Sequence, residues 1–371
     1  MPPIRILHLI SSLPVGGAED LIAAIVTGLN PLRFQVQVAC LENPGAIGEE
    51  LQRGGYSVFS LGLNLKRTPF LRLLLAVRRL LQELRPHILH THLYHPNLYG
   101  RLAALGLGLH GVVASIHNTY HTVKLHRTWW NFALGRVTDR LLVSSPMVLD
   151  DVRRYDRVPE AKLKIIPYGI NLAALDLPET REEAKTRLGI PGFCLGMVGR
   201  LEEQKGVEYL LKALPSVLQC IPEVTLLLVG EGRHRGALEY LTRELQLCHH
   251  VRFLGTRRDL ALLYRAMDIY LQPSLWEGLP LALLKAMGAG LPVVATRVSG
   301  SQDIVQDGVN GRLVPAADSQ SLAAAVLDLY HDPESRRRLG QAARATVAAH
   351  HSQAAMLQSL EGLYTELYHQ A

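Results

Sequence analysis

The feature that most constrains this chain is an alternation of short apolar runs with longer amphipathic segments along most of its 371 residues. Buried parallel strands are short and almost wholly apolar, and helices usually form the crossovers between them. In the first half the predicted strands are IRILHLI, FQVQVACL, YSVFSL, HILHTH, VVASIH and RLLVSS, and the clearest helices are EDLIAAIVTGLN and PFLRLLLAVRRLLQEL. Apolar residues in both helices recur every three or four positions. This half therefore predicts a doubly wound α/β unit.

The same alternation starts again near residue 193. The second set of predicted strands is FCLGMVGR, VTLLLVGEG, VRFLG, IYLQPS and LPVVAT, and the helices between them are GVEYLLKALPSVLQ, RGALEYLTRELQL, LALLYRAM and PLALLKAMGAG. We therefore predict two Rossmann-like domains, the first over residues 1–177 and the second over 178–351. The polar stretch 178–192 suits a hinge. The apolar pattern of residues 352–371 predicts one last amphipathic helix.

The length and composition of the chain fit this two-domain prediction. A chain of 371 residues can give each domain its own core, and 48% hydrophobic against 19% charged residues excludes a disordered polymer. No apolar run approaches the roughly 18 residues of a membrane-spanning helix, and the first apolar run is too short for a signal peptide. The cysteines fit neither a metal site nor a disulfide framework, because they are far apart: Cys40, Cys194, Cys220 and Cys248. We expect a reduced, cytoplasmic protein.

The excess positive charge lies in the first half of the chain. Residues 1–180 contain 19 lysines and arginines against 13 acidic residues, whereas residues 181–371 contain 20 of each. A basic domain can meet an anionic membrane surface, a phosphate-bearing substrate or nucleic acid. Nucleic acid is the least favoured of these, because the sequence has no basic strand with interleaved aromatic residues and no zinc-finger spacing.

Two glycines follow the first predicted strand. Open parallel sheets bind ligands at the carboxyl ends of their strands, and two facing sheets would form a cleft there. Gly16 and Gly17 lie in such a loop, in front of a helix whose N-terminus favours an anion. The pattern is not G-x-G-x-x-G, so it is no dinucleotide fingerprint. The alternative is a glycine turn that binds nothing.

The second half opens with two cations at one strand-to-helix junction. Arg200 follows a predicted strand, Lys205 follows five residues later, and Gly199 and Gly206 stand beside them. Two cationic side chains at one strand end could bind a diphosphate between them. The alternative is a pair of solvated surface charges.

A carboxylate stands in the loop after the strand IYLQPS. Glu277 precedes a helix that begins near Pro280, and an ionised carboxylate there could accept hydrogen bonds from sugar hydroxyls. Gly278 and Leu279 would offer backbone N–H groups near the same helix start. The alternative role of Glu277 is to cap the helix or to match its dipole.

Five segments together give a specific resemblance. SSLPVGGAED, VGRLEEQKG, LLLVGEG, VRFLGTRRDL and PSLWEGLPLALLKAMGAGLPVVAT occur in this order and cover nearly the whole chain. The chain resembles the retaining glycosyltransferases of family 4, which have the GT-B fold of two Rossmann-like domains facing a cleft. The resemblance implies transfer of a sugar from a nucleotide sugar to an acceptor. It implies that the donor binds mainly to the second domain and the acceptor mainly to the first. It also implies that the last helix crosses back onto the first domain.

The resemblance assigns roles residue by residue. It places the donor diphosphate against Arg200 and Lys205 with Gly17 facing the same group, and the donor sugar hydroxyls against Glu277. His117 matches a histidine near the reacting face of the sugar; without the resemblance it would be a structural histidine. The other positions implied to bind the donor are Gly16, Gly199, Glu231, Gly255, Arg257, Gly278, Leu279 and Lys285. Of these, Glu231, Gly255 and Arg257 are implied to lie around the nucleotide base.

The resemblance also implies a mechanism without a metal or another cofactor. Positive charge develops on the sugar and negative charge on the diphosphate, and Arg200 and Lys205 would stabilise the leaving group. The acceptor would attack from the face that the diphosphate leaves, with a phosphate oxygen taking its proton. We therefore assign no protein nucleophile.

Lys285 departs from the family pattern, which has a second glutamate eight positions after the first to accept both ribose hydroxyls. An ammonium has three donors and no acceptor, so it cannot replace that carboxylate. Three explanations stay open: another group holds the ribose, the lysine faces an acidic group on an unusual donor, or donor binding is damaged. Two smaller departures are Pro280 and Tyr168, which stand where the family often has glycine and asparagine. We expect little chemistry from Tyr168.

Several polar residues of the first half could line the acceptor side: His92, Asn118, Tyr120 and His121. The histidines of HILHTHLYHPN are His87, His90, His92 and His95, but no acidic or cysteine ligand accompanies them, so we predict no metal site. The helix PFLRLLLAVRRLLQEL has Arg72, Arg78 and Arg79 beside a wide apolar face. It could rest on an anionic membrane, or it could bury its leucines against the sheet.

We therefore predict a retaining hexosyltransferase that uses a nucleotide-diphosphate sugar, with a UDP-sugar as the expected donor, in polysaccharide biosynthesis. The acceptor would be a glycan, a lipid-linked sugar or a small molecule. A cytoplasmic protein could also touch the inner face of the membrane. The alternatives are a GT-B-fold sugar-nucleotide epimerase or phosphorylase, and a nucleotide-sugar-binding module with weak or no catalysis because of Lys285.

Overall fold

The computed structural model describes residues 2–117 and 125–370, with only the backbone for Leu125 and His126. The chain folds as two compact units. The first consists of Met1–Gly169 with Gln353–Ala371, and the second of Ile170–Ser352. Each has a parallel sheet with helices packed on it, so the predicted α/β class is confirmed.

The sheet of the first unit has the order β3-β2-β1-β4-β5-β6-β7 with every pair parallel. Its strands are β1 (Ile4–Ile10), β2 (Phe34–Cys40), β3 (Ser57–Ser60), β4 (Ile88–His92), β5 (Gly111–Ile116), β6 (Arg140–Val143) and β7 (Leu163–Ile165). The strand order reverses between β1 and β4, where His8 pairs in register with His90. Strand β7 was not predicted from the sequence, because it has only three residues, of which Leu163 and Lys164 are partly buried and Ile165 is exposed.

Helices cover both faces of this sheet, because each has an apolar side directed at it. They are α1 (Gly17–Gly28), α2 (Gly45–Arg53), α3 (Phe70–Leu84), α4 (Tyr94–Ala104), α5 (Leu125–Gly135) and α6 (Pro146–Asp151), and α6 continues as a π-helical turn over Val152–Asp156. Leu73 and Val77 of α3 are fully buried in a cluster with Leu7 and Leu9 of β1. On α1, Ile22 lies in a separate core cluster.

The sheet of the second unit has the order β10-β9-β8-β11-β12-β13 and is again parallel throughout. Its strands are β8 (Cys194–Val198), β9 (Thr225–Val229), β10 (Val251–Gly255), β11 (Ile269–Gln272), β12 (Val293–Thr296) and β13 (Arg312–Val314). Strands β8 and β11 flank the point where the strand order reverses. Loops that leave the carboxyl ends of two such strands diverge and form a crevice, the usual ligand position in this architecture.

The polar stretch 178–192 lies inside the second unit and contains a helix that Thr180 and Glu183 cap reciprocally. The remaining helices are α7 (Arg181–Leu188), α8 (Val207–Cys220), α9 (Arg235–Glu244), α10 (Leu260–Ala266), α11 (Leu281–Gly288), α12 (Ser299–Gln302), α13 (Ser319–His331), α14 (Pro333–His350) and α15 (Gln353–Gln370). Short 3-10 turns cover Glu160–Lys162, Ala173–Leu175 and Glu203–Lys205. Helix α15 packs on the first unit, where Leu363 and Tyr364 are fully buried.

Of the helices that the described residues form, none has the length and apolar character needed to cross a bilayer.

Candidate active site

Lys205 and Glu277 meet at the carboxyl edge of the second sheet. Lys205 ends the 3-10 turn after β8, Glu277 lies in the loop after β11, and Lys205 Nζ forms an ion pair with Glu277 Oε1. The Glu277 residue is 4% exposed, so this carboxylate is nearly removed from water. The pair therefore spans the two strands at which the order of the sheet reverses.

Two further donors fix the same carboxylate. Gln272 Nε2 lies 2.9 Å and Ser274 Oγ lies 2.7 Å from Glu277 Oε1. Gln204 Nε2 donates to the Trp276 carbonyl at 2.9 Å and so holds the loop beside Glu277. A buried carboxylate that accepts from this many donors keeps one orientation. Gln204, Gln272 and Ser274 were not predicted from the sequence, although Gln272 and Ser274 stand as polar residues at the end of the apolar strand IYLQPS.

Arg200 lies at the same strand end but in a different environment. Its side chain is exposed, and within the described residues no hydrogen bond or ion pair engages its guanidinium. Gly199 in front of it donates its N–H to the Val229 carbonyl at 2.9 Å. The guanidinium is therefore available to an anion, whereas the Lys205 ammonium is shared with Glu277.

The glycines of this edge allow close backbone packing. Gly206 has a left-handed φ of 58°, and a β-carbon there would overlap the Pro273 carbonyl. A β-carbon at Gly300 would overlap the carbonyl of Gly278, and Ser299 Oγ donates to the Glu277 carbonyl at 2.8 Å. The loop 277–279 is thus pressed onto the start of α12, which fixes the backbone on both sides of Glu277.

Three residues assigned to the nucleotide base lie at the ends of β9 and β10. Glu231 forms an ion pair with Arg235, and its neighbour Gly230 donates to the carbonyl of Gly255 at 2.8 Å. Arg257 forms a bidentate pair with Asp259, the residue before α10. Glu231, Gly255 and Arg257 therefore lie on one edge of the sheet, and their contact with a base stays a prediction.

Lys285 and Leu279 lie on either side of the start of α11. Leu279 packs its side chain into the interior, and Lys285 stands partly buried in the last turn of that helix. A cation in the last turn interacts favourably with the helix dipole. This is a structural role for a lysine at a position where the family pattern has glutamate.

In the first unit, Gly16 and Gly17 stand at the N-terminus of α1. Gly16 is the N-cap without a side-chain cap, and the first turn contains Glu19 and Asp20. The carboxylate of Glu19 folds back to the space beside Gly16. An acidic residue in the first turn matches the helix dipole. Asn118, Tyr120 and His121 lie outside the described residues.

His117 and His92 belong to a buried histidine cluster. The Nδ1 of His92 lies 3.2 Å from Nε2 of His117, and His117 Nδ1 lies 2.5 Å from the Tyr168 hydroxyl. On its other side, His92 Nε2 lies 2.9 Å from Nδ1 of His8. His92 is 1% and His117 is 8% exposed. Both rings of the predicted site are thus hydrogen bonded on both nitrogens, and the acceptor role of His92 stays a prediction.

Burial keeps these imidazoles uncharged. It lowers the pKa of His8 to about 3 and that of His117 to about 4. Burial also holds the pKa values of His90 and His92 well below the ordinary value, with smaller contributions from the neighbouring imidazoles. At neutral pH each ring therefore has one N–H and one lone pair.

The cluster also includes the nearest approach to a metal site in the part of the chain that the structure describes. Ring nitrogens of His8, His90 and His92 lie within 4.8 Å of one another. His90 instead contacts the hydroxyls of Tyr364 and Ser115, each at 2.7 Å. Of the six ring nitrogens only His8 Nε2 has no partner among the described residues. Five of the six nitrogens are thus engaged with protein groups.

Strain marks the end of β4. Leu93, directly after His92, has φ 67° and ψ 172°, a backbone conformation that is nearly restricted to glycine. This conformation turns the chain sharply from β4 into α4. Strained residues concentrate at functional sites, and this one lies at the carboxyl end of a strand beside the reversal of the first sheet.

Two protein families match the chain. Residues 180–346 match the family described as Glycosyl transferases group 1, and residues 15–174 match Glycosyltransferase Family 4. The two matches together take in most of both units.

Named relatives have similar sequences. The chain is 27% identical over 314 residues to UDP-Gal:alpha-D-GlcNAc-diphosphoundecaprenol alpha-1,3-galactosyltransferase of Escherichia coli, with 81% of each chain covered. It is 32% identical over 262 residues to phosphatidyl-myo-inositol mannosyltransferase of Mycobacterium leprae, which covers 67% of this chain and 65% of that protein.

A solved structure has the same fold. The Anabaena protein HepE in complex with UDP-glucose superimposes with a TM-score of 0.87, covering 98% of this chain and all of that one, at 23% identity.

Proposed function

Because this chain belongs to the family 4 glycosyltransferases, we propose that it moves a sugar from a nucleotide-diphosphate sugar to an acceptor hydroxyl with retention of the anomeric configuration. The observation that supports this most directly is the Lys205–Glu277 pair. It lies where the strand order of the second sheet reverses, so a donor bound there would face an ammonium and a carboxylate at once.

The two groups suit the two parts of such a donor. Glu277 Oε2 faces Gln204 Nε2 at 3.5 Å, a long contact, whereas Oε1 is fully engaged. We assign Glu277 to the sugar hydroxyls, which can donate to a carboxylate. We assign Lys205 and the exposed Arg200 to the diphosphate, where both cations act together.

The reaction would then be driven by stabilisation of the leaving group. The C1–O bond breaks with its electron pair going to the diphosphate, the acceptor oxygen bonds to C1 on the same face, and its proton passes to the departing phosphate. Arg200 and Lys205 favour this charge distribution, which is the work that a metal does in other sugar transferases. We propose no metal and no other cofactor.

UDP-sugars and lipid-linked acceptors are our proposed substrate classes. The name of the galactosyltransferase relative includes both a UDP-sugar and a diphosphoundecaprenol acceptor, and the HepE structure contains UDP-glucose. Polysaccharide or glycolipid assembly in the cytoplasm fits these classes. For the ribose at Lys285 we propose that another group provides the acceptors.

Helix α3 could bring a lipid-linked acceptor to the protein. Leu71 and Leu75 are exposed on it beside the exposed Arg72 and Arg79, while Leu73 and Val77 are buried. Arg78 donates instead to the carbonyls of Ala103 and Leu105. We propose that the exposed face touches an anionic membrane. Pelleting with liposomes of anionic lipid checks this, and equal pelleting of wild type and Leu71→Glu/Leu75→Glu would contradict it.

The decisive experiment is incubation of the purified protein with UDP-, GDP- and ADP-sugars, with and without acceptors. Release of the nucleoside diphosphate together with a glycosylated acceptor supports the proposal, and NMR of the new linkage reads its configuration. Activity should persist in EDTA. An epimerised donor would show the isomerase alternative, and binding without turnover would show a binding module.

A further inference from the structure

Four buried side chains of the first unit form one continuous row of hydrogen bonds. His8 Nδ1 contacts His92 Nε2 at 2.9 Å, and His92 Nδ1 contacts His117 Nε2 at 3.2 Å. His117 Nδ1 then contacts the Tyr168 hydroxyl at 2.5 Å. These residues come from β1, the end of β4, the residue after β5 and the loop after β7. The row thus runs across the sheet through its strand ends.

Neutral imidazoles impose a strict rule on such a row. Each ring has one N–H and one lone pair, so a ring bonded on both sides donates on one side and accepts on the other. His92 and His117 are both bonded in this way. All three bonds must therefore donate in the same direction. His8, His92 and His117 then carry their protons either all on Nδ1 or all on Nε2.

We propose that His8 and His92 are positioning residues which, together with Tyr168, hold the His117 imidazole in the tautomer protonated on Nε2. Tyr168 selects the direction because a phenol O–H is a stronger acid than a neutral imidazole N–H, and an imidazole nitrogen is the stronger base. The hydroxyl donates to His117 Nδ1. His117 Nε2–H donates to His92, and His92 Nε2–H donates to His8.

The row determines what His117 can do. Its Nδ1 lone pair is occupied by Tyr168, and its Nε2–H by His92. The ring can take no proton from an acceptor hydroxyl unless the row is broken. His117 therefore contributes a ring and an adjoining backbone that are held in one position. This role rests on the proposed function, and it agrees with transfer of the acceptor proton to the departing phosphate.

The neighbouring His90 provides an internal comparison. His90 lies in the same cluster, and its ring centroid is 4.2 Å from that of His92. Its hydrogen-bond partners, however, are the hydroxyls of Tyr364 and Ser115. Neither ring nitrogen of His90 bonds to a member of the row, so the tautomer of His90 is independent of the row. Tyr168→Phe and Tyr364→Phe therefore make the same chemical change, the loss of one hydroxyl, but only Tyr168→Phe should affect the row.

The test is NMR of the whole chain with ¹⁵N-labelled histidine, because ring nitrogen shifts distinguish a protonated from a bare nitrogen. Single His→Gln variants assign the rings. In the wild type we expect His8, His92 and His117 all protonated on Nε2. In Tyr168→Phe the direction of the row is no longer set, so all three signals should shift together. In Tyr364→Phe only the His90 signal should change.

Activity gives the second measurement. Tyr168→Phe should lower kcat by about tenfold to a hundredfold through misplacement of the His117 ring, with the donor KM unchanged. Tyr364→Phe removes another buried hydroxyl and should leave kcat within about twofold. If both variants lose the same fraction of kcat, His117 has no special dependence on Tyr168 and the proposal is overturned.

Other outcomes separate this inference from the proposed function. Different tautomers among the three rings of the wild type overturn the row, even if Tyr168→Phe fails to fold. The row is also overturned if the wild-type protein binds one equivalent of Zn²⁺ and His8→Gln abolishes that binding. If the tautomers are as expected and no nucleotide sugar is turned over, the row stands and the proposed function fails.

Discussion

Lys205 Nζ and Glu277 Oε1 form an ion pair between two loops that are 72 residues apart in the sequence. Their side chains are 14% and 5% exposed, and Gln272 and Ser274 donate to the same carboxylate oxygen. This contact joins the carboxyl ends of β8 and β11. It makes the predicted leaving-group cation and the predicted sugar-binding carboxylate one electrostatic unit.

Substitution of either partner alone should destabilise the protein. Lys205→Met leaves a buried carboxylate without its counter-charge, which costs about 3–5 kcal/mol when a buried pair is broken from one side. The double variant Lys205→Met/Glu277→Gln should recover most of that stability without recovering sugar transfer. Urea unfolding and an activity assay measure the two effects. A double variant as unstable as the single one would contradict this account of the pair.

Arg200→Ala should separate catalysis from stability. The guanidinium is exposed, so the midpoint of thermal unfolding should stay within about 1 °C of wild type. Loss of one group that stabilises the leaving diphosphate should lower kcat by about a hundredfold to a thousandfold. Arg243→Ala removes an exposed arginine of α9 and is the matched control. Wild-type turnover by Arg200→Ala would exclude the proposed clamp.

Lys285→Glu tests the unusual residue of the donor motif. If another group already holds the ribose, the new carboxylate should change the affinity for a UDP-sugar by less than about threefold. The negative charge in the last turn of α11 should cost about 0.3–1 kcal/mol of stability. Isothermal titration and thermal unfolding measure these values. A large gain in affinity would mean that the lysine has damaged donor binding.

The buried histidines should make the fold sensitive to acid. Burial lowers the pKa values of these histidines in the folded protein. At pH values between those pKa values and about 6.5, the unfolded chain therefore binds more protons than the folded chain. Stability should be constant above pH 6.5 and fall below it, by up to about 1.4 kcal/mol per group per pH unit. Thermal unfolding from pH 7.5 to 5.5 measures the slope. His90→Gln should reduce the slope and the exposed His234→Gln should not.

Two glycines of GEGRHRG should respond in opposite ways to alanine. A methyl group at Gly232 would overlap the Leu201 carbonyl, so Gly232→Ala should cost about 1–3 kcal/mol. Gly236 lies in α9 with open space around it, and Gly236→Ala should stabilise by about 0.5–1 kcal/mol. Unfolding in urea measures both. A gain at Gly232 would show that the close approach relaxes at little cost.

The sequence by itself determined the class of the fold. Apolar period and length predict most strands of both units and the helices α1, α3, α8, α9, α10, α11 and α15, and local glycine patterns locate the turns after β1 and β8. Strands β7 and β13 were missed, since each has only three residues and a short apolar run has no period to detect. The ordered motifs also predicted the family, which the matches over both halves confirm.

Only the tertiary structure decided which side chains act together. His8 stood as an isolated polar residue within IRILHLI, and Tyr168 as a small departure in a loop. The pairing of β1 with β4 and of β4 with β5 sets His8, His92 and His117 close enough to bond. Distances between such residues depend on strand order and register, which a one-dimensional pattern of apolar residues does not contain. The pairing of Lys205 with Glu277 has the same physical origin.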